Sequence, residues 1–239
     1  MAHISGVFTL RRIRRGLVLF GVLLAFSFSV NTIFAQRMAE RAVVSPSVAF
    51  PVILDAGHGG EDGGAVAPDG TKESDVNLAL TLQLRELFLL CGKSPILTRE
   101  SDVSVYSEGA TTLREKKVSD IHNRVAQINA VPGATLISIH QNSLPSSPRT
   151  HGAIVFFNGR EGAADLAANI QRQLNCSCNE TKKEEKRIPS SIYLMQNVTC
   201  PAVLVECGFL SNREELASLK DPQARFRLAL AVIAGYYAE

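Results

Sequence analysis

Apolar residues along this chain alternate between two periods. Val52–Gly57 is a continuous apolar run broken by glycines, which predicts a buried strand. His58–Gly70 follows as a Gly-rich loop. Glu73–Leu90 then has helical spacing, with Val76, Leu80, Leu84, Leu87 and Phe88 on one side. Cys91-Gly92 ends that helix, and Pro95–Thr98 reads as a second strand. A strand–helix–strand unit of this kind favours a parallel sheet. Ser101–Lys117 is polar and irregular and reads as a surface loop, and Val118–Ala130 as a helix burying Ile121, Val125 and Ile128. Thr135–His140 and Gly152–Phe157 are the third and fourth strands, with a helix over Ala163–Leu174 after them. Asn179–Arg187 is a mixed-charge run read as a solvated loop. Ile192–Met195 reads as a short strand and Pro201–Glu206 as a buried one, and helices over Asn212–Leu219 and Gln223–Tyr237 close the chain. The pattern predicts a single α/β domain: a mostly parallel, twisted sheet of about six strands flanked by helices.

A different pattern precedes it. Arg11, Arg12, Arg14 and Arg15 lead into an uncharged run from Gly16 to Ala35. Twenty residues in a helix match the hydrocarbon thickness of a bilayer. The basic flank stays on the cytoplasmic side, so the rest of the chain is exported. Residues 1–35 are therefore a signal peptide or a signal-anchor; Ile33-Phe34-Ala35 resembles a weak cleavage site, but the run is long for a cleaved segment. Residues 36–50 read as a linker and 51–239 as the folded domain. The expected location is extracytoplasmic, either secreted or held at the membrane by residues 16–35.

Charge agrees with this division. Residues 1–50 hold six Arg and one acid, whereas the remainder holds 19 bases and 22 acids. The domain is mildly acidic, so no nucleic-acid partner is expected. The five cysteines (91, 176, 178, 200 and 207) are odd in number and contain no C-x-x-C pair, which argues against a Cys-type structural zinc site. Cys176-Ser177-Cys178 is either redox-active or a pair of thiols without a role.

The chemistry-bearing residues fall at one edge. His58 follows the first strand, His140 ends the third, and Glu206 ends the strand Pro201–Glu206. Ligands bind at the C-terminal edge of parallel strands. Glu73 opens the helix after the first loop and so faces the same edge. Two imidazoles and one carboxylate leave a tetrahedral zinc one open position, the pattern of a catalytic rather than a structural site. A second carboxylate is then wanted as general base, and Glu206 is the candidate. Against this stands the plainer reading that a histidine at a strand end is a hydrogen-bonded loop residue. The glycines at 59, 60, 63 and 64 lack the Lys-Ser/Thr ending of a phosphate cradle, so they are read as allowing tight turns around the metal. Ser138 and Ser143 have no sensible triad.

VILDAGHGGEDGGA (52–65), ESDVNLAL (73–80), SIHQN (138–142) and PAVLVECGFLSNREE (201–215) together resemble the zinc-dependent N-acetylmuramoyl-L-alanine amidases of the type-3 amidase family. The resemblance runs from Val52 to the C-terminus. It implies a mostly parallel sheet flanked by helices, one Zn2+ held by His58, Glu73 and His140, and Glu206 as the catalytic glutamate. Only the motif match prefers Glu73 over Asp75. The reaction implied is hydrolysis of the amide joining N-acetylmuramic acid to L-alanine in peptidoglycan. LTRESDVSVY (97–106) and REKKVSDIHNRV (114–125) add a narrower resemblance to the germination-specific amidases of endospore formers. That implies a role in spore-cortex maturation, with a deacetylase acting downstream to form muramic-δ-lactam. The alternatives are a vegetative wall amidase or autolysin, and another zinc hydrolase acting on wall peptides.

The remaining candidates carry double readings. Asp55 is either a carboxylate orienting a ligand histidine or a partner of loop amides. Asn142, Arg124 and His151 are the candidate substrate contacts. Asn142 also reads as holding the loop after His140, Arg124 as paired to a carboxylate, and His151 as an exposed loop residue. The expected partners are the glycan strand with its peptide stems, the membrane through the N-terminal segment, and an accessory protein, since a bare catalytic domain has no other device for finding its substrate.

Overall fold

The computed structural model describes residues 50–238. The expected signal or anchor segment and residues 36–49 of the linker lie outside the described residues. Six strands are present: β1 Val52–Ala56, β2 Ile96–Leu97, β3 Thr135–Asn142, β4 Ile154–Phe157, β5 Lys186–Arg187 and β6 Ala202–Phe209. The helices are α1 Glu73–Leu90, α2 Leu113–Asn129, α3 Ala163–Ser177, α4 Tyr193–Asn197, α5 Arg213–Lys220 and α6 Pro222–Tyr236. The strands form one sheet in the order β2-β1-β3-β6-β4-β5. β2, β1, β3 and β6 are mutually parallel, β4 pairs antiparallel with β6, and β5 runs parallel to β4. The expectation of a mostly parallel six-stranded sheet in one α/β domain holds.

Both faces of the sheet are covered, which is why β1, β3 and β6 read as near-continuous apolar runs. On one face Leu54, Ile137, Ile139, Val203 and Val205 pack with α1, α3 and α6. On the other, Ile53, Leu136, Ala202 and Leu204 pack with Ile128 of α2 and with Leu194 and Met195 of α4. The stripe predicted on α1 is buried as expected, joined by the polar Ser74, Asn77 and Thr81.

Three element assignments are corrected. α2 begins at Leu113, five residues before the expected start, because Thr112 and Glu115 form a capping box. Thr112 accepts from the Glu115 amide at 3.2 Å, and Glu115 accepts from the Thr112 amide at 2.9 Å. This T-x-x-E signal lies inside the stretch read as loop. Ile192–Met195 is not a strand: Tyr193–Asn197 is a short helix that buries Leu194 and Met195. Within the mixed-charge run, Lys186 and Arg187 pair with Phe156 and Phe157 and form an edge strand. Strands β3 and β6 also run past His140 and Glu206, so these two residues lie within their strands rather than at the ends. Among the described residues, no helix is long and apolar enough to cross a membrane.

Candidate active site

The loop after β1 builds the first wall of the site. His58 has φ 62°, an unusual left-handed conformation for a non-glycine residue that needs outside support. Two buried arginines supply it. Arg124 donates to the His58 carbonyl at 2.7 Å and to the Ala56 carbonyl at 2.8 Å. Arg99 donates to the carbonyls of Ala56, Gly57, Ser74 and Ser101 at 2.9–3.2 Å, tying the loop to the first turn of α1. The loop closes on itself through Gly59 and Asp62, whose amides bond each other's carbonyls at 2.8 and 3.1 Å. Asp62 Oδ2 meets His58 Nδ1 at 2.8 Å, which directs His58 Nε2 toward Glu73 Oε1 at 3.3 Å.

Glycine is required at two positions here. A Cβ on Gly57 would lie 2.2 Å from the His140 ring, and one on Gly64 would lie 2.5 Å from Glu73 Oε2. These two glycines make room for the side chains of the site, and Gly59, Gly60 and Gly64 take the positive φ of the tight turns expected from the sequence.

Glu73 stands at the first position of α1 and is buried, whereas Asp75 is exposed. Its Oε2 accepts from the Ala65 amide at 2.9 Å, and its Oε1 lies 2.9 Å from His140 Nδ1. The rings of His58 and His140 meet edge to face with centroids 5.1 Å apart. Glu206 is the register partner of His140 across the β3–β6 ladder. Its Oε2 is shielded from solvent and has no hydrogen-bond partner among the described residues.

Electrostatics follow this packing. Burial alone would lower the pKa of His58, but its bonds to Asp62 and Glu73 prevail and push it up to about 9. Burial would raise Glu73, but His140 and His58 hold it well below the usual carboxylate range. Asp62 is likewise held low against its burial, by His58 and Lys117. Glu206 has no such bond, and burial pushes its carboxyl up to about 7.

One donor atom from each of His58, Glu73 and His140 lies within 4.8 Å of the other two. Donors bound at about 2.0–2.1 Å to one tetrahedral ion lie about 3.3 Å apart. The distances from Glu73 Oε1 to the two imidazole nitrogens, 2.9 and 3.3 Å, approach that spacing. Two imidazoles and one carboxylate with inward-facing donor atoms fit a single small cation, with the unpartnered Glu206 carboxyl on the neighbouring strand.

The other candidates fall elsewhere. Asp55 takes neither of its expected roles. It accepts from Thr98 and Ser138 hydroxyls at 2.7 Å and from Arg124 at 2.6 Å, deep under the loop. Asp62 is the residue that orients a histidine. Its only sequence signal is its place four residues after His58 in the Gly-rich loop. Arg124 is not a substrate contact. Its side chain is 2% exposed, and it is spent on Asp55, Asp120 and the loop carbonyls. Asn142 holds its own loop, its side chain accepting from the Ser143 amide at 2.8 Å and its carbonyl from the Leu210 amide at 2.8 Å. His151 lines a cleft of about 520 Å³ with Cys178, Asn179, Cys207 and Glu215, to which none of His58, Glu73, His140 and Glu206 contributes. The five cysteines are free thiols.

An α/β domain that gathers two imidazoles and two carboxylates from the β1 loop, α1, β3 and β6 has the fold and site of the enzymes that work at the C-terminal edge of a sheet. Residues 52–236 match the N-acetylmuramoyl-L-alanine amidase family, and the chain belongs to that family. It is an N-acetylmuramoyl-L-alanine amidase, hydrolysing the amide bond that gives the family its name. The chain is 39% identical over 194 residues to the germination-specific N-acetylmuramoyl-L-alanine amidase of Bacillus subtilis, covering 79% of this chain and 80% of the relative. Among solved structures it is similar to the CwlD amidase from Clostridioides difficile in complex with the GerS lipoprotein. That match has a TM-score of 0.74 and 38% identity, over 78% of this chain and 95% of the other. It is also similar to the amidase AmiC2 of Nostoc punctiforme, with a TM-score of 0.65 and 25% identity over 78% and 94%.

Proposed function

We propose that this amidase works with one zinc ion held by His58, Glu73 and His140, with Glu206 as general base, on cortex peptidoglycan outside the cytoplasmic membrane. The convergence of three donor atoms beside an unpartnered carboxyl on the next strand carries this reading. Bound there, zinc would supply Lewis-acid polarisation of the lactyl carbonyl and acidify the attacking water. Glu206 accepts a proton from that water and returns it to the departing alanine amine. Burial raises this carboxyl to about 7 in the metal-free domain, and a cation beside it would favour the ionised form that accepts a proton. Asp62 keeps His58 Nδ1 occupied, so that Nε2 is the nitrogen turned to the ion.

The cortex role is supported by the similarity to the germination-specific amidase, and it makes the peptide-free muramic acid the substrate of a later deacetylase. The complex of the related clostridial amidase with a lipoprotein supports an accessory lipoprotein for this chain too. The apolar run 16–35 supports attachment to the outer face of the membrane.

The test is digestion of purified peptidoglycan with the wild-type chain and a Glu206→Ala variant. New amino termini on alanine, beside glycan with intact muramic acid, are expected from the wild type. The variant should retain one zinc per chain by elemental analysis and release no peptide. Termini inside the peptide would make the chain a wall peptidase, and full activity of the variant would remove Glu206 from the mechanism.

A further inference from the structure

At the end of the domain opposite the site, the surface changes character. Parallel α/β topology sends α1 back along β1, so Glu73 opens the helix at the catalytic edge and Leu90 closes it about 25 Å away. Around that far end lie five large exposed apolar side chains: Phe50 (59% exposed), Leu89 (45%), Leu90 (83%), Ile96 (46%) and Tyr237 (45%). All lie at the N-terminal edge of the sheet or the C-terminal ends of α1 and α6. Lys93 Nζ donates to the Phe50 carbonyl at 3.2 Å and to the Tyr236 hydroxyl at 2.9 Å. Tyr237 stacks beside Tyr236 at 5.0 Å, and Ile96 opens the edge strand three residues beyond Lys93. Scattered exposed apolar residues are ordinary, but a grouped set rimmed by a lysine and tyrosine hydroxyls marks an interaction surface.

The chain itself points to what covers it. Phe50, part of this patch, is where the described domain meets residues 36–49, and those follow the uncharged run 16–35. Fourteen residues reach roughly 50 Å at most when extended, so an anchored chain holds the domain within that reach of the bilayer, with Phe50 as the point of attachment. Leu, Ile and Phe with flanking Tyr and Lys are the side chains that favour the lipid–water interface.

We propose that the N-terminal edge of the sheet, through Phe50, Leu89, Leu90, Ile96 and Tyr237, seats on the outer leaflet of the membrane. The catalytic edge then points away from it, toward the wall. This rests on the membrane attachment proposed above.

The chain contains no tryptophan, so a single introduced one reports its own surroundings. Full-length Leu90→Trp and Leu144→Trp proteins are reconstituted into phosphatidylcholine/phosphatidylglycerol vesicles with brominated acyl chains. Leu144 is 40% exposed in the loop that follows β3 at the catalytic edge. The indole emission of the Leu90→Trp protein should shift to the blue and be largely lost to bromine, while that of the Leu144→Trp protein stays unquenched. Adding Phe50→Glu and Ile96→Glu to Leu90→Trp should restore the emission with the chain still on the vesicles. Co-flotation of an unquenched Leu90→Trp protein, or equal quenching in the two single variants, would overturn the seat and leave attachment standing. Failure of the chain to float with vesicles would overturn attachment, and the seat with it.

Discussion

His58 shows how much of the site is carried by backbone rather than by side-chain identity. Its left-handed φ costs about 1–3 kcal/mol, offset by the carbonyl bonds from Arg124 and by Asp62 on the ring. Asp62→Asn should weaken zinc binding about 10–100-fold, measured by competition with a chromogenic chelator, with the fold unchanged by circular dichroism. A proton balance follows as well. Without metal, His58 titrates near 9, so at pH 7 it carries a proton that a cation must displace. Zinc affinity should therefore rise with pH up to about 9. Calorimetry at pH 7 in two buffers of different ionisation enthalpy should show proton release; equal heats in both would count against it. At this scale His140 and Glu206 stand out because they interrupt apolar strands, and His58 because it directly follows one. Asp62 does not, since nothing in HGGED separates a ring-orienting carboxylate from the neighbouring Glu61. Glu73 was separated from Asp75 by motif alone, and burial of one and exposure of the other agree with that choice.

α2 is the element whose meaning changed most. Its apolar content is modest, and of its residues only Arg124 and Ile128 are buried. Its purpose is to carry Arg124 under the loop between β1 and α1, with Lys116 on Glu61 and Lys117 on Asp62 at 2.7 Å. A periodicity argument sees only Ile121, Val125 and Ile128, so it passes over the first turn and leaves the capping box in a loop. Thr112→Ala should destabilise the domain by about 1 kcal/mol in urea unfolding. Arg124→Ala should cost about 3–5 kcal/mol, because it strands a buried Asp55 carboxylate. The same pair predicts acid sensitivity. Burial would raise the Asp55 pKa, but Arg124, Ser138 and Thr98 outweigh it and hold the carboxyl at about 2, below its ordinary 3.8. Between those values the unfolded chain binds the extra proton. The contribution is thus full above about pH 4 and lost as pH falls toward 2. Unfolding curves across that window should show this loss in wild type and not in an Arg124→Met, Asp55→Leu double variant.

Across the whole molecule, the alternation of strands and helices was enough to read a parallel α/β sheet, because burial on both faces writes itself as unbroken apolar runs. Strand order was not legible. Pairing β4 antiparallel beside β6, and placing two-residue strands at both edges, depends on contacts between distant segments that no local pattern encodes. The site inherits that long reach, with donors from the β1 loop, α1 and β3. An ion there ties three elements together, so removing zinc with a chelator should lower the melting temperature, and restoring it should raise it in proportion to the logarithm of free zinc. A melting temperature indifferent to metal would argue that the donors are not ligands.

The position of β6 has a consequence for the cell that makes the enzyme. β6 follows the other five described strands along the chain yet lies in the middle of the sheet, between β3 and β4. Until residues 202–209 leave the ribosome, the two halves of the sheet have no seam to join them, and the chain lacks Glu206. A nascent polypeptide that stops short of β6 is thus an incomplete hydrolase. Completion of β6 is therefore the step that both joins the sheet and delivers Glu206.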